Sequence, residues 1–283
     1  MTDANFISQA DALELIGRKD VAFVDGSWYL PAQERDGHAE YRQMRIPGAV
    51  YFDIDSISDQ ASNLPHMLPT PDQFAQKVSL MGIADDDLII VYDGPGLFSA
   101  PRVWWTFKTM GAIDVRILDG GLDQWKSNNL PLETGNPNPR RAKLFSANFA
   151  GNKVASIEDV IQASKSGNPV VLDARPSARF AGKAPEPRPG LRGGHIPGSK
   201  NLPANTVIEN GRLKSSAELK KLFESLDLKP STPIITSCGS GVTAAILALA
   251  LDAVGYDHVK VYDGSWAEWG LPEGPEIETD DSE

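Results

Sequence analysis

Residues 233–251 read PIITSCGSGVTAAILALAL: a short β-branched run, a loop of the form Cys-Gly-x-Gly, and an apolar stretch of helical composition. Ile234, Ile235 and Thr236 favour a pleated strand. The Ala- and Leu-rich run after them favours a helix, with Gly255 placed to end it. That apolar run is about half of what a membrane-spanning helix needs, so it predicts a buried helix. A strand feeding a helix in this way is half of a βαβ unit, the building block of a parallel sheet covered by helices. Residues 88–100, LIIVYDGPGLFSA, repeat the pattern 145 positions earlier, with Asp93 where Cys238 stands.

The repetition extends along the chain. Two IPG triplets start at 46 and 196, 150 residues apart; Asp25 in AFVDGSW and Asp173 in VVLDARP lie 148 apart; Gly120 in LDGGLDQW and Gly264 in YDGSWAEW lie 144 apart. So small a drift implies one ancestral unit duplicated whole, with minor changes in loop length. In each copy short buried-strand candidates (VAFVD, DLIIVYD and DVRILDG; NPVVLDA, TPIITSC and HVKVYDG) alternate with helical patterns. The expected fold is therefore α/β, two tandem domains, each a doubly wound parallel sheet flanked by helices. Such sheets bind ligands at the carboxyl ends of their strands. The irregular, Asn- and Pro-rich stretch from Thr134 to Asn152 reads as a linker, which sets domains of 1–145 and 146–283.

A chain of 283 residues, 41% hydrophobic and 23% charged, can bury substantial cores. Its single cysteine allows no disulfide within the chain, and the start MTDANFISQADALEL has no secretory pattern, so the cytosol is the expected compartment. A net charge of −11 argues against nucleic acid as a partner, and an anionic substrate must meet a local basic patch. The acidic ending EGPEIETDDSE is expected to be solvated and disordered. Four histidines and one cysteine without ligand spacing offer no metal site. Trp104, Trp105, Trp125, Trp266 and Trp269 are expected in cores or at a domain interface, and His195, whose counterpart is Arg45, in a structural role.

A lone cysteine is more often buried and inert than reactive. Three features favour reactivity at Cys238. It sits where a strand ends and a helix is about to begin, so unpaired N–H groups and the helix dipole favour negative charge on its sulfur. Gly239 and Gly241 let successive N–H groups converge on an anion. The duplicate replaces it by Asp93, which a cysteine kept for packing would not tolerate. The second domain is therefore expected to be catalytic, and the first a non-catalytic partner that helps to build the cleft.

The ordered set SWYLP, IPGA, FDID, HMLP, SAPRVWW, LDGG, EPRPG, GHIPG, CGSGVTA and YDGSWAEW resembles the two-domain rhodanese-like sulfurtransferases along essentially the whole chain. The resemblance implies an enzyme that carries sulfur as a persulfide on Cys238, with no cofactor. It implies that Arg179 and Arg188 clamp the carboxylate and keto oxygen of the donor, that Gly239, Gly241, Val242 and Thr243 bind substrate through the loop, and that Ser240, His66 and Asp55 relay a proton. Arg192 would join the two arginines in a basic patch. Relatives that use thiosulfate carry Arg and Lys after the cysteine; Gly239 and Ser240 stand there in this chain, so 3-mercaptopyruvate is the expected donor and thiosulfate its rival. The expected acceptor is a thiol such as a reduced thioredoxin or small dithiol, or cyanide, with no membrane involved. A phosphatase of the related fold would need Arg where Ala244 stands. A persulfide carrier without its own donor site is the remaining, non-enzymatic reading.

Overall fold

The computed structural model describes residues 4–280. The chain divides into two compact units, one holding the chain up to Gln60 with Leu68–Gly151 and Asn210–Arg212, the other Ala61–Met67, Asn152–Glu209 and the chain from Leu213 on.

In the first unit the elements are β1 (Phe6–Ile7), α1 (Gln9–Leu13), β2 (Val21–Asp25), α2 (Gly37–Gln43), β3 (Val50–Tyr51), α3 (Ile54–Ile57), α4 (Pro71–Leu80), β4 (Leu88–Tyr92), α5 (Ala100–Thr109), β5 (Asp114–Leu118) and α6 (Gly121–Ser127). The strands pair in parallel in the order β1-β5-β4-β2-β3. The remainder of the chain forms β6 (Val154–Ala155), α7 (Ile157–Ser166), β7 (Val170–Asp173), α8 (Ser177–Phe180), β8 (Lys200–Asn201), the two-stranded sheet β9 (Ile208–Glu209) and β10 (Arg212–Leu213), α9 (Ser216–Glu224), β11 (Ile234–Ser237), α10 (Ala244–Asp252), β12 (Val259–Tyr262) and α11 (Ser265–Trp269). Its main sheet is parallel in the order β6-β12-β11-β7-β8. Strand for strand this is the first order again, so the duplicated α/β architecture expected from the repeat offsets is the one observed.

Burial explains why these segments take these forms. Strands covered by helices on both faces read as continuous apolar runs; β2 is buried at every position and β4 from Ile89 to Tyr92. The isoleucines of the two IPG turns, Ile46 and Ile196, are both fully buried, one in each core. Helix starts follow their caps: Thr70 with Gln73, Ser156 with Asp159 and Ser215 with Glu218 each form a capping box. The tryptophans named above are all buried. Helix α10 is buried from Ala244 to Leu251, as its uniformly apolar sequence requires. No helix among the described residues is long and apolar enough to cross a membrane.

The C-terminal segment differs from expectation. Up to Asp280 it is docked on the second unit and not disordered, while its acidic side chains Glu273, Glu276, Glu278 and Asp280 stay exposed as expected. Ile277 packs against the core, Trp269 donates its Nε1–H to the carbonyl of Glu276, and His195 and Glu278 exchange backbone hydrogen bonds of 2.7 and 2.9 Å. Counting charge hid this, because Ile277 and backbone groups of Pro275, Glu276, Glu278 and Asp280 do most of the anchoring, with the Glu278 carboxylate accepting the Gly198 N–H. Residues 281–283 of the expected disordered tail lie outside the described residues. The bridge has a counterpart in the first unit, Arg45 with Glu133, so His195 and Arg45 each tie a closing segment to its own domain. His195 also stacks on Phe180 at 3.9 Å and hydrogen-bonds the Phe180 carbonyl through Nδ1, the structural role expected of it.

Candidate active site

Strand β11 is the middle strand of its sheet, and Cys238 follows its last residue. A doubly wound sheet presents ligands at this end of its strands. Six residues, Cys238–Thr243, separate the strand from α10, so Val242 and Thr243 belong to the loop and the helix starts later than its composition implied. Gly241 makes the turn in the left-handed region, φ 78°, where a side chain would be strained. The loop's first carbonyls are tied down behind it: the N–H groups of Trp266 and Ala267 donate to the oxygens of Cys238 and Gly239, both at 2.9 Å. Cys238 is 1% exposed, Val242 is buried and Thr243 half-buried.

Two predicted partners meet at Ser240. His66, in the segment Ala61–Met67 that belongs to the same unit as the loop, brings Nδ1 to 3.0 Å from Ser240 Oγ. Both residues are buried, and His66 takes φ 61°. A non-glycine residue persists in that region only where its surroundings hold it. Asp55 lies in the other unit, exposed near the start of α3, where its Oδ2 accepts the Nε1–H of Trp28 at 2.9 Å.

The arginines are organised by a carboxylate that the sequence reading passed over. Glu186, its side chain 2% exposed, accepts from Arg175 Nη1 at 2.9 Å and from Nε and Nη2 of Arg179. Arg175 is itself buried, paired with Asp173 at 2.7 Å and lying 4.1 Å above the ring of Trp266. Removing one member of a buried charge cluster like this strands the others, so the cluster acts as one piece. Arg179 is held by one edge, and its Nη2 would lie 3.1 Å from a Cβ at Gly239, which puts the guanidinium beside the cysteine loop. Any side chain at position 239 would compete for that space.

The expected basic patch needs correction in two respects. Glu186 offsets part of the charge of Arg179, and Arg192 commits Nη2 to the carbonyls of Trp269 and Pro275, where it fastens the C-terminal segment. Arg188 is half-buried on the EPRPG stretch. Glu186 lies in that same quoted motif and Arg175 in VVLDARP; the clue was the spacing of acid and base, but their pairing depends on the turn between β7 and β8.

The first unit shows what such a loop does with an anion. Asp93, fully buried, accepts the N–H of Gly96 at 2.6 Å through Oδ1 and those of Phe98, Ser99 and Ala100 at 2.8, 2.7 and 2.8 Å through Oδ2. A loop at the end of a middle strand, followed by a helix start, has folded around a carboxylate carried by its own first residue. At the equivalent place the second unit carries a thiol.

Comparison with known proteins fits this description. The model of the rhodanese-like domain matches residues 8–128 and again 156–271. The 3-mercaptopyruvate sulfurtransferase of Escherichia coli K12 is 43% identical over 271 residues, covering 95% of this chain and 96% of that protein. A mitochondrial protein of Arabidopsis thaliana named thiosulfate/3-mercaptopyruvate sulfurtransferase 1 is 39% identical, over 93% of this chain and 75% of its own. The crystal structure of SseA from Escherichia coli, described as a 3-mercaptopyruvate sulfotransferase, superposes with a TM-score of 0.86 at 41% identity, covering 93% of this chain and 98% of SseA.

Proposed function

The chain belongs to the rhodanese-like domain family, and from that premise we propose that it transfers sulfur from 3-mercaptopyruvate to a thiol or to cyanide through a persulfide on Cys238. The observation that carries the reading is the cysteine loop itself: a buried thiol at the end of a middle strand, followed by uncharged Gly239 and Ser240, with the Arg179 guanidinium alongside. A dianionic donor would need cations within the loop; a donor whose charge is a carboxylate needs them beside it.

In the first half-reaction the Cys238 thiolate attacks the donor's sulfur. The carbon–sulfur bond breaks and its electron pair leaves with carbon as the pyruvate enolate. The proton on the donor thiol ends on that carbon, so the products are pyruvate and a Cys238 persulfide anion, with no proton gained or lost overall. Ser240 and His66, 3.0 Å apart, are suited to carrying that proton. Asp55 is the carboxylate that the family resemblance assigns to the relay. Arg179 and Arg188 hold the donor's carboxylate and keto oxygen, for which a planar guanidinium fork is well matched. The N–H groups of the loop from Gly239 to Thr243 hold the persulfide. In the second half-reaction an acceptor thiolate, from a reduced thioredoxin or a small dithiol, or cyanide, takes the outer sulfur and restores the Cys238 thiolate. The free thiol suits a reducing compartment, and we assign the protein to the cytosol on that ground.

Pyruvate release from 3-mercaptopyruvate and thiocyanate formation from thiosulfate, measured side by side, test the assignment. The expected kcat/KM is higher with 3-mercaptopyruvate, and Cys238→Ser lowers it at least about a thousandfold. Arg188→Gly raises KM for 3-mercaptopyruvate by about tenfold, the weight of one lost bond to a charged group, and far less for thiosulfate. A higher kcat/KM with thiosulfate would overturn the choice of donor.

A further inference from the structure

Ser265 is the first residue of α11, fully buried, with φ 50°. An L-residue in that region costs free energy that glycine does not. The first unit has glycine there: Gly121, 144 positions earlier, opens α6 at φ 59°. A Cβ on Gly121 would come within 2.5 Å of Gly96 Cα and 2.7 Å of the Asp93 oxygen, so no larger residue fits.

The two helix starts do the same work on the backbone. Leu122 and Asp123 donate their N–H groups to the carbonyls of Asp93 and Gly94 at 2.9 Å, as Trp266 and Ala267 do to those of Cys238 and Gly239. The copies differ in the turn before the helix, Gly120 at φ 78° against Gly264 at φ −64°, and in a hydroxyl that only the second carries. Ser265 Oγ accepts the N–H of Cys238 at 3.2 Å and donates to the Tyr262 carbonyl at 2.7 Å. Its proton is committed to Tyr262, which leaves the oxygen to act on Cys238 as an acceptor alone. Only the copy that carries a thiol has this contact, and it has it in spite of the backbone strain.

We propose that Ser265 is a positioning residue for sulfur transfer: its hydroxyl fixes the N–H of Cys238, so that the nucleophile's peptide is held on both sides by one helix start. The inference rests on Cys238 being the sulfur carrier. A committed N–H cannot turn to its own thiolate and stabilise it before the donor arrives. Interactions that favour the ground state over the transition state slow the chemical step, so the contact keeps the sulfur reactive as well as in register with the loop.

Two substitutions separate positioning from packing. Ser265→Gly removes the hydroxyl and relieves the strain; Ser265→Ala removes the hydroxyl and keeps the strain. Both are expected to lower kcat with 3-mercaptopyruvate by about tenfold, the kinetic equivalent of one hydrogen bond, with KM changed less than about twofold. Alkylation of Cys238 by iodoacetamide slows in the same proportion. Thermal stability moves differently, with the Gly variant at or above wild type and the Ala variant below it. A Ser265→Gly protein with wild-type kcat and alkylation rate overturns the proposal, as does a loss of rate that follows stability and appears in the Ala variant alone. Alkylation needs no sulfur donor. If the wild type fails to turn over 3-mercaptopyruvate while both variants still slow alkylation, the assigned reaction falls and the positioning role stands.

Discussion

Asp93→Asn removes a charge without changing size, at a carboxylate that is fully buried and accepts four backbone N–H groups. The asparagine has one acceptor oxygen. Placed at the Oδ2 position it retains the bonds from Phe98, Ser99 and Ala100, and its NH2 then faces the Gly96 N–H, donor against donor. One bond to a charged acceptor is lost and its donor left buried, at about 2 kcal/mol, and the three remaining bonds lose their ionic strengthening at about 0.5 kcal/mol each; after some relief from burying less charge, the sum is about 3 kcal/mol. In a domain of this size that lowers Tm by about 6–12 °C. Asp93→Ala costs more in dilute buffer but leaves a cradle that a solute anion can enter. An anion with a dissociation constant of about 10 mM, supplied at about 100 mM, restores about 1.4 kcal/mol. Urea unfolding followed by tryptophan fluorescence, with and without sulfate, gives both quantities. The reasoning fails if Asp93→Asn lies within about 0.5 kcal/mol of wild type, or if sulfate stabilises the Ala variant no more than it stabilises the wild type.

Two further outcomes are expected. Burial raises the Asp25 carboxyl to about 7 from an ordinary 3.8, with the Asp93 charge adding to the effect and hydrogen bonds from Ser27 and Tyr92 opposing it. The folded state therefore holds this proton more tightly than the unfolded chain does. The resulting stability is fully present below about pH 4 and is lost as pH rises through about 7, a change of up to about 4 kcal/mol. Asp25→Asn should flatten the fall in Tm between pH 5 and pH 8, and an unchanged pH dependence would refute it. Ending the chain at Leu271 removes Ile277 from the core and the backbone pair between His195 and Glu278. A loss of about 3 kcal/mol in urea unfolding is expected, whereas a tail that does not dock would leave stability unchanged.

The fold was legible because its signals are local and occur twice. Continuous apolar strands such as Val21–Asp25 and Ile234–Ser237 mark sheets covered on both faces, and the repeat offsets identify a duplication without any knowledge of packing. The candidate site was legible where a motif concentrates it, in the loop at the end of a middle strand that holds Cys238 and its glycines. Glu186 was missed because its meaning lies in what it touches. A glutamate between two prolines looks like a solvated loop residue until the turn after β7 brings Arg175 and Arg179 to it. Ser265 was missed for a different reason: a serine that follows glycine at a helix start looks like a cap, and only its dihedral angle and its bond to Cys238 set it apart. The docked C-terminal segment shows the weakness of composition as a guide. Its acidic side chains were counted as solvated charge, but its backbone, Ile277 and the Glu278 carboxylate hold it in place.

Duplication commonly leaves an idle copy of a binding site, which any solute of similar chemistry can occupy. In this chain the idle copy is self-liganded. The Asp93 carboxylate is tethered to the loop it fills, so a free anion would have to compete with an intramolecular ligand. If sulfur travels on Cys238, as proposed, the first domain, its loop N–H groups already taken by Asp93, adds no second place for it, and the chain stores one sulfur atom at a time. Under that proposal every sulfur delivered is loaded on Cys238 first, one turnover at a time.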